Sequence, residues 1–163
     1  MSPRAACRLA ALGFTTVFDY VPGKIDWLAH NLPTDGTGAA LPTAGTRVRT
    51  DVPTAGPGEV LRVVRARVET SRYRFALVTA TDGTLLGRLR HDALTTGDPE
   101  RTAFAVAEPG PSTIRPHQPV QETFEQLHSH DLSYAIVTDP EGRLLGTVHR
   151  SDLDPASGAD RSS

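Results

Sequence analysis

Cysteine, lysine, methionine and tryptophan are nearly missing from this chain of 163 residues, each occurring once, at Cys7, Lys24, Met1 and Trp27. A single cysteine excludes an internal disulfide framework and fits a reducing compartment. No apolar run approaches the length of a membrane span, and the opening MSPRAACRL has no apolar core of a signal peptide. A cytoplasmic chain without membrane association is expected. Excess charge is also missing: the net charge is −2 and the pI about 6.3. That excludes a general electrostatic attraction to nucleic acid. No phosphate-binding P-loop, glycine-rich dinucleotide turn or Ser-His-Asp arrangement is present. His128, His130 and Asp131 have no further ligand at metal-site spacing, and residues two apart do not share a helical face, so no metal is expected. Hydrophobic residues make up 38%, with 14 Gly and 13 Pro, which implies a real core joined by long polar connections. Arginine outnumbers lysine 16 to 1, which we read as coding bias, although guanidinium groups also suit phosphate.

What the chain does have is a duplication. Phe75–Leu94 reads FALVTATDGTLLGRLRHDAL and Tyr134–Leu153 reads YAIVTDPEGRLLGTVHRSDL. Gly83 matches Gly142 and Gly87 matches Gly146, both at an offset of 59 residues. An apolar run, an acidic-Gly turn and a second apolar run predict a β-hairpin, because Gly tolerates the positive φ of the turn. One supersecondary unit is therefore used twice.

Ahead of the duplication, Ser2 and Pro3 open an expected helix with Ala6, Leu9, Ala10 and Leu12 on one face and Gly13 closing it. A strand at Thr15–Tyr20 and a short amphipathic helix carrying Ile25, Trp27 and Leu28 follow. Residues Arg4 to Pro33 resemble the closing segment of a rhodanese domain. The catalytic cysteine loop of that family would lie before Met1, and Cys7 falls within the helix instead, as a packed residue. Whether Met1 is the true start or follows a lost rhodanese half is left open. Thr34–Gly58 is rich in Gly, Pro, Thr and Ala, with one strand-like patch at Thr46–Val52, and reads as a linker ordered near its end.

In the first repeat, Val60, Val63, Val64 and Val68 predict one apolar helical face, with Arg62, Arg65 and Glu69 opposite. Strands Tyr73–Thr79 and Leu85–Leu89, a short helix at His91–Thr95 and another over Glu100–Glu108 are expected. The second repeat runs in parallel. It has an entering strand at Ser112–Arg115, a helix with Val120, Phe124 and Leu127, strands Tyr134–Thr138 and Leu144–His149, and a short helix from Ser151. The closing PASGADRSS is expected to be disordered.

This order, with its two L-L-G-x-h-x-x-x-x-L endings and PGPSTIRPHQPV between the copies, is similar to the cystathionine-β-synthase (CBS) domain pair. The resemblance covers about Arg49 to Pro155. It implies a mixed α/β fold: two β-α-β-β-α repeats packed as a pseudo-two-fold pair, with an N-terminal α-β-α rhodanese-like appendage. The expected division is an appendage at 1–33, a linker at 34–48, repeats at 49–97 and 98–155, and a tail at 156–163. Such pairs leave two clefts that often hold adenosine nucleotides, and the family motif G-h-h-[ST]-x-x-D supplies a hydroxyl for phosphate and a carboxylate for the ribose diol. Gly146-Thr147-Val148-His149-Arg150-Ser151-Asp152 keeps the Asp and has His149 at the hydroxyl position. Gly87 to Ala93 has Arg90 at the hydroxyl position and Ala93 at the Asp position. At most one cleft is equipped for ribose.

The resemblance thus implies Asp152 for the ribose, His149 and Arg150 for phosphate, and Thr113, Ile114 and Arg115 as the entering strand beside adenine. The competing account of Asp152 is a helix-start charge, and that of His149 and Arg150 a solvated strand end. The expected function is a non-enzymatic regulatory module that senses ATP, ADP, AMP or S-adenosylmethionine. It is expected to act as a homodimer on a partner the sequence does not name. The alternatives are a docking or dimerisation unit with degenerate sites and, more remotely, a truncated sulfurtransferase.

Overall fold

The structure, a computed structural model, describes residues 12–13 and 42–154. Apart from residues 12–13, the rhodanese-like appendage, together with the first part of the linker and the C-terminal tail, lies outside the described residues. A 3-10 helix at Ala44–Arg47 comes first, followed by strand β1 (Thr54–Ala55), helix α1 (Leu61–Glu69), β2 (Ala76–Thr79), β3 (Leu85–Leu89), α2 (His91–Thr96) and α3 (Ala103–Val106). Next come β4 (Glu108–Pro109), β5 (Thr113–Ile114), α4 (Val120–Ser129), β6 (Tyr134–Thr138), β7 (Leu144–His149) and α5 (Arg150–Leu153).

The two hairpins form as the glycine turns require. β2 pairs antiparallel with β3 and β6 with β7, while β1 and β5 enter parallel to β2 and β6. Gly83 and Gly142 sit at φ +86° and +82°, the left-handed region that glycine enters without a steric cost. The 59-residue offset governs the pairing as well as the sequence. Thr54 faces Leu77 as Thr113 faces Ile136, and the bridge of Val60 with Thr102 matches that of Thr43 with Pro119. Thr84 bridges its own counterpart, Arg143. The repeats are therefore related by a pseudo-two-fold axis.

Alternation along the strands divides the core into three parts. Ala76 and Val78 turn outward to α1 and pack with Leu61, Val64, Val68, Leu89 and Leu94. Val137 and Val148 do the same in the second repeat with Leu127 and Leu153. Between the sheets lie Leu77 and its counterpart Ile136, with Phe75 and Tyr134 beside them. Fully burying each of these large side chains contributes about 1.5–3 kcal/mol.

Several local expectations need correction. The buried stripe of α1 is Leu61, Val64 and Val68, while Val63 is 40% exposed. Val60 is extended at the N-cap, so the helix begins one residue later than the valine pattern suggests. The first strand starts at Ala76, not Tyr73. The helix expected over Glu100–Glu108 shrinks to Ala103–Val106, because Ala107 turns extended and Glu108–Pro109 pair with Gly87 and Arg88 on β3. Arg65 is not simply a solvated residue either: its guanidinium donates to the carbonyls of Leu94 and Gly97, closing the end of α2.

The segments ahead of the repeats cross over. α3 and β4 fall at the start of the expected second repeat yet pack on the first, with Ala103 in its core. The 3-10 helix precedes the first repeat yet packs on the second, with Ala44 in that core. The residues at the end of the expected linker are therefore a structural part of the second repeat.

Candidate functional site

Each repeat ends in a strand that runs directly into a short helix, and the crossing segment lies against this junction. In the second repeat, Arg49 exchanges backbone hydrogen bonds with Thr147, at 2.7 Å from its N–H and 2.9 Å to its carbonyl. Gly146 makes this approach possible. Its φ is +144°, and a Cβ there would lie 2.2 Å from the Arg49 carbonyl oxygen. Gly87 plays the equivalent part, with a built Cβ 2.9 Å from the Glu108 carbonyl oxygen. The matched glycines are explained by packing against the crossing segment.

Asp152 occupies the first turn of α5. Its Oδ1 accepts a hydrogen bond from Arg49 Nη2 at 2.5 Å, with the two side chains 25% and 29% exposed. Its Oδ2 is buried without a partner. His149 ends β7, and its ring packs edge-on against Tyr73 at 5.4 Å and tilted against Tyr134 at 6.1 Å. His149 Nε2 is likewise buried without a partner. Tyr73 donates its hydroxyl proton to Asp51 Oδ1 at 2.7 Å and lies 3.3 Å from Thr147 Oγ1. Arg72 pairs with the other Asp51 oxygen at 3.1 Å.

The electrostatics follow from these contacts. The hydrogen bond to Asp152 raises the Arg49 pKa. The Tyr73 hydroxyl lowers that of Asp51, and burial raises that of Tyr73 itself. Burial lowers the His149 pKa, and the Arg49 charge adds to the effect, so the neutral imidazole is favoured. A neutral imidazole keeps one ring nitrogen as donor and one as acceptor.

The first repeat carries different chemistry at the equivalent positions. Glu108 stands where Arg49 stands, and it takes hydrogen bonds from Arg90 at 2.7 and 2.9 Å and from Arg88 at 2.8 and 3.3 Å. These bonds, Arg90's first, pull the Glu108 pKa down to about 2. Ala93 offers no carboxylate. Arg88 also reaches the Tyr134 hydroxyl at 3.3 Å.

The six residues implied by the resemblance are distributed over several places. Asp152 and His149 lie together beside Arg49 and Tyr73. Thr113 and Ile114 line a cavity of about 240 Å³ with Arg88, Leu132 and Tyr134, beside the Arg88–Glu108 pair. The Arg115 guanidinium bonds Thr138 Oγ1 at 2.9 Å and the carbonyls of Thr138 and Asp139, at the end of β6. Arg150 faces Asp131 at 3.4 Å and borders an open depression with Phe124 and His128. Arg49, Asp51 and Tyr73 complete the Asp152 cluster, and no local motif in the sequence marks them. The signal was available: the 59-residue offset, extended back from Glu108, lands on Arg49.

Among the described residues, no three His, Cys, Asp or Glu side chains group as a metal site, and no helix is long and apolar enough to cross a membrane.

Comparison with known proteins supports the fold. The model of the CBS domain family matches residues 105–156. No curated protein matches the chain. Among solved structures, the cytosolic domain of the Mg2+ channel MgtE in complex with ATP is 22% identical with a TM-score of 0.60, covering 71% of this chain and 50% of that one. The CBS domains of a transcriptional regulator from Streptococcus pneumoniae are 15% identical with a TM-score of 0.62, covering 68% and 95%. A CBS domain protein from Pyrobaculum aerophilum complexed with AMP is 18% identical with a TM-score of 0.56, covering 69% and 90%. The chain thus spans about half the length of the Mg2+ channel domain and most of the other two. The rhodanese resemblance of Arg4–Pro33 rests on the sequence alone. Residues 105–156 thus match the CBS domain, and the described residues share the fold of CBS domain pairs.

Proposed function

We propose that the chain is a regulatory, non-catalytic module that binds an adenosine nucleotide in the cleft of the second repeat and passes the signal to a partner protein. The observation that carries this reading is the pair of buried, unpartnered polar atoms at one strand-to-helix junction, His149 Nε2 at the end of β7 and Asp152 Oδ2 in the first turn of α5. Buried polar atoms without partners are costly, and a ligand that satisfies them recovers that cost. A carboxylate matches a vicinal diol, and the ring of Tyr134, which lines the neighbouring cavity, offers apolar surface to a base. The structural neighbours complexed with ATP and AMP agree with this ligand class.

The proposal does not rest on Thr113 and Ile114, which line the cavity beside Arg88, or on Arg115 and Arg150, whose guanidinium groups bond Thr138, Asp139 and Asp131. Homodimer formation belongs to the same proposal, and Val63 and Phe104, 40% and 58% exposed on their helices, are apolar side chains available to it. Light scattering showing a monomer at every concentration removes the dimer. Calorimetric titration with adenosine nucleotides tests the ligand.

A second reading, a docking unit without ligand, is favoured by one observation. Glu108 is bound by two arginines opposite Ala93, which closes the equivalent junction of the first repeat. Retained partner binding alongside silent titrations with every adenosine compound would favour that reading.

A further inference from the structure

The segment ahead of the first repeat is tied to the second at several points. Val120 N–H donates to the Pro42 carbonyl at 3.0 Å, Ala44 N–H to that of Gln118 at 2.8 Å, and Gly45 N–H to that of Pro116 at 2.7 Å. Arg49 adds its two backbone bonds to Thr147 and its ion pair with Asp152. Residues 42–49 thus form a strap across the unit that holds Asp152, before the chain crosses to the first repeat at β1. Through Arg49 the strap holds the one carboxylate oxygen of Asp152 that has a partner. A diol that engages both carboxylate oxygens competes with Arg49 for Oδ1.

We infer that Arg49 is a latch on this cleft: a ribose diol displaces it from Asp152, and the loosened strap carries occupancy to the chain N-terminal to residue 42. The inference rests on the reading of Asp152 as the ribose carboxylate. The first repeat shows why the response is one-sided. There the crossing segment is held by Glu108 on both Arg88 and Arg90, and Ala93 provides no carboxylate for which a diol could compete. Its strap stays fixed while the other opens.

The experiment uses the full chain and its Arg49→Ala variant, titrated with adenosine, which lacks phosphate and so isolates the competition at Asp152. Hydrogen exchange is followed at the amides of Ala44, Gly45 and Arg49. Removal of a partly exposed ion pair predicts adenosine binding about two- to five-fold tighter in the variant. Adenosine accelerates exchange at the three amides in the wild type, and Arg49→Ala shows fast exchange there without ligand. Equal or weaker binding by the variant, or strap amides that do not respond, overturns the latch alone. Absence of binding in both proteins overturns the ribose reading, and the latch with it.

Discussion

Phe75 and Tyr134, counterparts across the 59-residue offset, stack on each other with ring centroids 4.3 Å apart and planes 10° from parallel. Two equivalent aromatic residues can meet in this way only where the pseudo-two-fold axis passes. Both lie in the cluster between the sheets, with Leu77 and Ile136. Phe75→Ala is expected to cost about 3–5 kcal/mol in urea unfolding, through lost burial and the cavity left behind. Tyr134→Phe keeps the stack and removes only the bond to Arg88, and is expected to cost about 1 kcal/mol or less. Equal losses from the two variants would contradict a stack at the axis.

Gly146 combines a close approach with a positive φ. Gly146→Ala places a methyl group inside the Arg49 carbonyl and keeps a φ of +144°. A loss of about 2–3 kcal/mol is expected in thermal or urea unfolding. Gly58→Ala meets nothing within 4 Å and has no positive φ, so it should stay within about 0.5 kcal/mol of wild type. Similar stabilities for the two variants would mean that the strap does not press on β7.

These two positions also show what the sequence could and could not disclose. The acidic-Gly turns, the alternating strands and the offset are local or periodic signals and lead to both hairpins, whereas Asp152 comes only from the resemblance to the CBS motif. The crossing of the straps was not local. Nothing around Arg49 says that its backbone pairs with Thr147, nearly a hundred residues away, or that Ala44 completes the second core. Four valines within nine residues suggest a stripe on α1 that packing does not follow, since Leu61 is buried and Val63 is exposed. The division of the six site residues had the same cause. The sequence places Thr113 and Asp152 in one repeat, but each cleft is closed by the segment that crosses from the other side.

Acid should act on the first repeat through Glu108. Its pKa in the folded chain is about 2, below the ordinary value of 4.5, chiefly because of the hydrogen bonds from Arg90 and Arg88. A carboxylate depressed by folding contributes stability that is present above the unfolded value and lost as pH falls through the folded one. Wild type should therefore be more stable than Glu108→Gln at neutral pH. The difference should close as pH falls from 4.5 towards 2. A difference that persists unchanged at the acid end would show that Glu108 acts by packing and not by charge.

His149 reports on the second cleft. Burial, then the Arg49 charge, lowers its pKa from 6.5, while the Asp152 charge opposes them. Protonation favours the unfolded chain, so the stability from neutral His149 is present above its ordinary value and declines as pH falls through the lowered one. An NMR titration of the imidazole should move upward in Arg49→Ala and further downward in Asp152→Ala. Shifts in the same direction from both variants would contradict the pairing of these charges around the ring.

The most direct test of the account is calorimetric titration of the full chain and of Asp152→Ala with adenosine, AMP, ADP, ATP and S-adenosylmethionine. Wild type is expected to bind at least one of them with a Kd between about 1 μM and 1 mM, and Asp152→Ala to bind it at least roughly tenfold more weakly. Silence with all five compounds, or equal binding by the variant, would contradict a ribose site at Asp152.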